Sequence, residues 1–199
     1  SGIVRISAWD AVIARHAAAA GYDWRLIAAL IAHESGFDPA AVSAKGAVGL
    51  MQLMPWVGGE VGVADVREPE ANVRAGVRYM QRLSRRYPRS HGEDQLAMVL
   101  TAYLIGPGHL DDARELAREI GLDPDVWWGS VEEVLPLLED ARFHETMRCG
   151  YARGGHAVEY VHGIFRLHHF FRRHVGRRPA SAGGEPLVLA RTDTVKALP

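Results

Sequence analysis

Apolar residues recur every three or four positions along nearly the whole chain, in blocks that end at glycine or proline. That spacing draws an apolar stripe down each block and commits the chain to helices packed on helices. Trp24, Ile27, Ala28, Leu30 and Ile31 form one such stripe. Asp23 precedes it as an N-cap, and Gly36 and Asp38-Pro39 follow it as stops. The same reading predicts helices over residues 8–20, 72–86, 94–104, 109–120 and 155–173, with Gly106-Pro107-Gly108 closing the one that starts at Asp94. Ser130-Val131-Glu132-Glu133 has the form of a capping box and predicts one more helix start. Val61-Gly62-Val63 and Leu187-Val188-Leu189 come nearest to strands, and both are too short to found a sheet. Past Gly176 the chain is rich in Pro, Ala, Ser and Gly and shows no period. The expectation is an all-α fold, with one domain over residues 1–175 and a loose, flexible tail over 176–199.

At 199 residues, 48% of them apolar, the chain can bury the core of one such domain. Its 23 Lys and Arg against 24 Asp and Glu argue against a protein that lives on nucleic-acid phosphates, which needs a strong basic excess. The charge is unevenly spread, however. Arg166, Arg172, Arg173, Arg177 and Arg178 crowd one segment, with His162, His168, His169 and His174 among them. A charge run is usually a solvated helix face; the sharper reading is a patch facing an anionic partner such as the cell wall or a membrane surface. Cys149 is the only cysteine, so no intramolecular disulfide can form. No stretch approaches the ~18 apolar residues of a bilayer span. The opening Ser1-Gly2-Ile3-Val4-Arg5 has neither an initiator Met nor a signal-peptide pattern, so the chain reads as a fragment or processed form.

Glu34 is the most unusual residue by position. It follows Ile31 by three residues and Leu30 by four, and so continues the buried stripe of its helix. Partial desolvation there disfavours the charged carboxylate, which suits a general acid working near neutral pH. From spacing alone, a helix-end charge turned to water is an equal reading. Ser43, Gly46 and Gly49 precede Leu50-Met51-Gln52, with Met54-Pro55 behind. Glycine permits tight turns and close approach to a ligand, and Gln52 carries a donor and an acceptor suited to the amide and hydroxyls of an amino sugar. Singly, the glycines read as plain turn residues and Met51 and Met54 as core filler. The ten histidines invite a metal reading, but His168 and His169 are adjacent and project apart, and no His-Glu-x-x-His occurs.

Taken together, Glu34-Ser35, Gly49-Leu50-Met51-Gln52 and Ala102-Tyr103 resemble, in order and spacing, the motifs of the soluble-lytic-transglycosylase family. Tyr151-Ala152-Arg153-Gly154 and Glu159-Tyr160-Val161 look like the closing segment of its membrane-bound lytic transglycosylase F branch. The resemblance runs from about Tyr22 to Phe171 and implies a goose-type, lysozyme-like helical domain with a substrate cleft. It departs at Leu104, where the family usually has Asn after Ala-Tyr.

The resemblance also implies the chemistry. Glu34 would act alone, as acid and then base, on the β-1,4 bond between N-acetylmuramic acid and N-acetylglucosamine, giving a 1,6-anhydro sugar without consuming water. Ser43, Gln52 and Met54 would floor the cleft, and Tyr103 and Tyr160 would hold Glu34 or a sugar, although a Tyr in so aromatic a helix as Tyr160's is commonly core. No metal and no cofactor is implied. The implied partner is the peptidoglycan glycan strand, in the periplasm or cell envelope, with any membrane proximity supplied by a segment upstream of this chain. Two other readings stay open: a lysozyme-like hydrolase using a second carboxylate such as Glu60, Asp65 or Glu145, and a silent wall-binding clamp, towards which Leu104 points.

Overall fold

Asp23 starts the most deeply buried helix. Its backbone is extended (φ −65°, ψ 121°) and its carboxylate accepts the Arg25 N–H at 3.0 Å, opening α2 (Trp24–Glu34). Every residue from Trp24 to Ala32 is buried, so α2 is a core helix enclosed on all sides rather than one with a single apolar stripe. The computed structural model describes residues 4–179 and 185–186.

The chain divides into two compact units, residues 1–79 with 163–199, and residues 80–162. In the first unit α1 (Asp10–Ala19) packs beside α2. The buried Asp10 organises the approach to α1, accepting the Ile6 and Ser7 N–H groups at 2.8 Å each. After α2 the chain makes a tight series of turns and then the short α3 (Trp56–Val61), which ends at Gly62 in the left-handed conformation (φ 68°). Val61-Gly62-Val63 is thus a helix end and not a strand. Residues 69–79 of the long α4 (Pro69–Ser84) follow, the helix starting three residues earlier than the periodicity predicts. Residues 163–174 of α9 (Gly154–His174) complete this unit, with Phe171 fully buried and Arg25 donating to the Val175 carbonyl at 3.1 Å. Two residues, β1 (Val4–Arg5), pair in parallel with β2 (Glu185–Pro186). Leu187-Val188-Leu189 and most of the expected tail lie outside the described residues.

The second unit is built on α5 (Gly92–Ile105), whose residues Ala97 to Ala102 are all buried. Gly106 (φ 88°) makes the sharp joint at which Pro107 opens α6 (Pro107–Glu119). A wide turn over Trp127–Val131 then leads to α7 (Glu132–Val134), a 3-10 turn over Leu135–Glu139, and α8 (Ala141–His144). Asp94 fixes the wide turn, its carboxylate accepting the Trp127 and Trp128 N–H groups at 2.7 and 3.1 Å. A short helix does start within Ser130–Glu133, as the sequence predicts, but not through a capping box. Ser130 is not an N-cap: its hydroxyl donates to the Asp123 carbonyl at 2.6 Å, and Gly129 at φ 70° interrupts the helix just before it. At the start of α9, a Cβ on Gly154 would overlap the Leu135 carbonyl, so glycine is required for that backbone approach.

Candidate active site

Glu34 is the last residue of α2 and is half-buried, at the point where the enclosed helix emerges. The helix cannot continue because Gly36 and Phe37 both take positive φ, 60° and 67°. Ser35 ties this end down. Its hydroxyl donates to the Leu50 carbonyl at 2.7 Å, linking the residue beside Glu34 to the Gly49–Gln52 turn.

That turn is held from three sides. Val48 pairs with both Val42 and Leu53 in single antiparallel bridges, which folds residues 42–53 back on themselves. Gln52 sits at φ 48°, and its side-chain amide donates to the Gly49 and Ala41 carbonyls at 2.9 and 3.1 Å. Ser43 accepts the Ala47 N–H on its hydroxyl at 3.0 Å, closing the turn around Gly46. The structure therefore gathers Glu34, Ser35, Ser43 and Gln52 into one hydrogen-bonded framework within the first unit. Both Ser43 and Gln52 spend part of their polarity on that framework, where the sequence reading gave them to substrate. Met54 is half-buried just beyond the turn, and its carbonyl accepts the Val57 N–H at 2.9 Å, leading into α3.

The third support is Asn72, which is fully buried on α4. Its Oδ1 accepts the Met51 N–H at 2.7 Å, and its Nδ2 donates to the Val48 and Val66 carbonyls at 2.9 and 2.7 Å. The close seat demands glycine on the turn: a Cβ on Gly49 would lie 2.5 Å from Asn72 Nδ2, and Gly49 is also at φ 76°.

The other expected site residues belong to the second unit. Tyr103 and Leu104 are half-buried near the end of α5, and Tyr160 is 2% exposed within α9. Of the acids that could have served as a second carboxylate, Glu60, Asp65 and Glu145 are all exposed, and Asp65 accepts the Arg67 N–H. Among the described residues no three His, Cys, Asp or Glu side chains gather to hold a metal. Several histidines instead lie one by one against carboxylates: His16 at Glu70, His162 at Glu132 and His168 at Asp23.

The family model "Transglycosylase SLT domain" matches residues 11–122, more than half of the chain and the whole of the framework just described. The chain belongs to this family. Among curated relatives, the SLT domain is 45% identical over 143 residues to a membrane-bound lytic murein transglycosylase F of Aeromonas salmonicida, covering 71% of this chain and 29% of that protein. It is 38% identical over 184 residues to the protein of the same name from Vibrio cholerae, covering 92% of this chain and 34% of that one. The chain thus spans about a third of the length of these relatives. Among solved structures, the lytic transglycosylase Slt of Pseudomonas aeruginosa, as an inactive mutant, superposes with a TM-score of 0.59 at 21% identity, over 87% of this chain and 25% of that one. The 70 kDa soluble lytic transglycosylase of Escherichia coli does so with 0.58 at 19% identity, over 89% and 27%. The fold is therefore the helical, lysozyme-like one of the Slt enzymes. In this SLT domain, Ser35 and Asn72 are the residues whose parts sequence reasoning missed. Ser35 was visible as half of a motif, whereas nothing local marks Asn72, whose partner Val48 lies 24 residues away.

Proposed function

We propose that this chain is the catalytic part of a lytic transglycosylase that cleaves peptidoglycan between N-acetylmuramic acid and N-acetylglucosamine. The observation that carries the reading is Glu34, half-buried at the end of α2 and tied through Ser35 to the Gly49–Gln52 turn. The family membership supports it, as do relatives named membrane-bound lytic murein transglycosylases.

In this reading the Glu34 carboxylic acid protonates the glycosidic oxygen as its bond to the muramyl anomeric carbon breaks, and N-acetylglucosamine leaves with a free 4-hydroxyl. The acetamido oxygen of the muramyl residue shares the positive charge left behind. The Glu34 carboxylate then takes the proton of the muramyl C6 hydroxyl, whose oxygen closes on the anomeric carbon. Glu34 ends protonated again, the product is a 1,6-anhydro sugar, and no water enters. One group serves as acid and base in turn, so half-burial suits it: water access is limited while the proton can still reach the substrate. Ser43, Gln52, Met54, Tyr103 and Tyr160 are proposed as substrate-binding residues on their match to the family's motifs. Gln52 would act through its amide oxygen, since its nitrogen serves the turn. The workplace proposed is the cell envelope, on the periplasmic side. No helix among the described residues is long and apolar enough to cross a membrane.

The test is mass spectrometry of muropeptides released from purified peptidoglycan. Anhydro-muropeptides, each lighter by one water than its hydrolysed counterpart, are the expected product, and Glu34→Gln should reduce their release by orders of magnitude with folding intact. Reducing-end products would make the domain a hydrolase. Binding to cell walls without release would make it a clamp, and undiminished release by Glu34→Gln would remove Glu34 from the chemistry.

A further inference from the structure

The arginine-rich segment does more than coat a helix. Beside the start of α2 lies a cavity of about 440 Å³, and four of its lining residues are Arg25, Arg172, Arg177 and Arg178. All of them belong to the first unit. The chain as a whole carries a net charge of −1, so this concentration of guanidinium groups is local.

One acid, Asp23, also lines the cavity, and it is already committed. Its carboxylate takes the Arg25 guanidinium through Nε at 2.9 Å and Nη2 at 2.6 Å, and the Arg25 backbone N–H besides. Arg25 is 7% exposed and spends its remaining Nη1 on the Val175 carbonyl. Asp23 and Arg25 therefore cancel in charge and serve as wall. Arg172, Arg177 and Arg178 are exposed at the cavity, and among the described residues none of them has a carboxylate partner. The wall also positions them. The indole of Trp24, itself buried, donates to the Arg177 carbonyl at 3.0 Å and fixes the backbone from which Arg177 and Arg178 extend.

We propose that this cavity is a binding site for phosphate groups, separate from the Glu34 site. Three guanidinium groups around one concavity, without a carboxylate partner among the described residues, suit a multiply charged anion that can accept forked pairs of hydrogen bonds, as phosphate does. The volume falls in the range of small-ligand pockets and exceeds what a single phosphate fills, which favours a pyrophosphate or phosphodiester bearing further substituents. Asp23 and Glu34 bracket opposite ends of α2, about 16 Å apart at the helical rise per residue, so the phosphate does not occupy the Glu34 end. The ligand would come either as a soluble phosphate compound or as a phospholipid headgroup.

Calorimetric titration of the protein with inorganic pyrophosphate at physiological salt tests this. Saturable binding is expected, weakened about tenfold or more in Arg172→Gln/Arg178→Gln. The exposed pair Arg85→Gln/Arg89→Gln removes the same charge elsewhere and should keep wild-type affinity, as should Glu34→Gln. Sedimentation with phosphatidylglycerol vesicles, against phosphatidylcholine vesicles, separates the sources. Capture that pyrophosphate competes away identifies a lipid headgroup, and pyrophosphate binding without vesicle capture identifies a soluble ligand. Absence of both kinds of binding overturns the proposal. So does equal loss in the two double variants, which would reduce it to general surface charge, and so does citrate binding as tightly as pyrophosphate.

Discussion

The Ser35 hydroxyl reaches the Leu50 carbonyl at 2.7 Å, across fifteen residues of sequence. It is the direct link between the helix end that carries Glu34 and the turn that the family's second motif builds. A motif serine beside a motif glutamate thus has a task of its own: it sets where the acid stands relative to the turn.

Ser35→Ala should separate positioning from stability. Losing one such bond costs about 1 kcal/mol, with more if the Leu50 carbonyl stays unpaired, so a urea midpoint will fall only modestly. Turnover on peptidoglycan should fall more than that stability loss accounts for, while the product remains anhydro-muropeptide. A variant as active as wild type would show that the link only braces the fold.

Asn72→Leu should be far more costly. The substitution keeps roughly the size of the side chain and removes three hydrogen bonds, leaving the Met51 N–H and the Val66 carbonyl without the Asn72 partner, while the Val48 carbonyl keeps the Leu53 N–H at 3.0 Å. At about 1–3 kcal/mol for each of these two buried groups, a loss of at least about 2 kcal/mol is expected in chemical denaturation. Gly49→Ala attacks the same joint from the other side, by steric overlap with Asn72 and by strain at φ 76°.

Acid should weaken the fold in two steps. Burial pushes the His168 imidazole below its ordinary 6.5, against the nearby Asp23 carboxylate, which pulls it up, and with Arg172 and His169 adding to the depression. The folded protein therefore binds this proton less readily than the unfolded chain, and stability held above pH 6.5 is lost as pH falls below it. Burial also pushes the Asp23 carboxyl up, but the hydrogen bonds and charge of Arg25 outweigh it and bring the group from 3.8 down to about 2. Its contribution is held above 3.8 and lost as pH falls towards 2. Denaturation at pH 7 and pH 5 should show a smaller drop for His168→Phe than for wild type. Equal drops would acquit His168.

Leu104→Asn restores the polar group that the family usually carries after Ala-Tyr. Leu104 is half-buried, so the change should cost little stability. The expected result is a higher rate of muropeptide release with the same products. An unchanged rate would show that this chain does its chemistry without that amide.

Helices with strong periodicity were legible in the sequence because their partners are their own near neighbours. Asp23 as N-cap and Gly106-Pro107 as a joint were legible for the same reason. Features decided at long range were not. Ser130 has the capping-box pattern, yet the Asp123 carbonyl takes its hydroxyl. The six-residue α3 carries Gly58 and Gly59 and has no pattern to read. Gln52 is legible as a motif residue, but its local work, bracing Gly49 and Ala41, depends on how the backbone of residues 41–52 folds back on itself. The arginines split: Arg166 and Arg173 are exposed helix residues as a charge run suggests, whereas Arg172, Arg177 and Arg178 line a cavity.

Asn72 is not the only place where α4 meets the turn. A Cβ on Gly76, one helical turn further on, would overlap the Met51 sulfur. The helix and the turn therefore fit as a bare backbone against a fully buried thioether, and a side chain on the helix would have to push that thioether aside. The consequence is genetic. Gly76→Ala should impair the protein when made alone, a smaller residue in place of Met51 should relieve the defect, and in a selection for function the two positions should vary together.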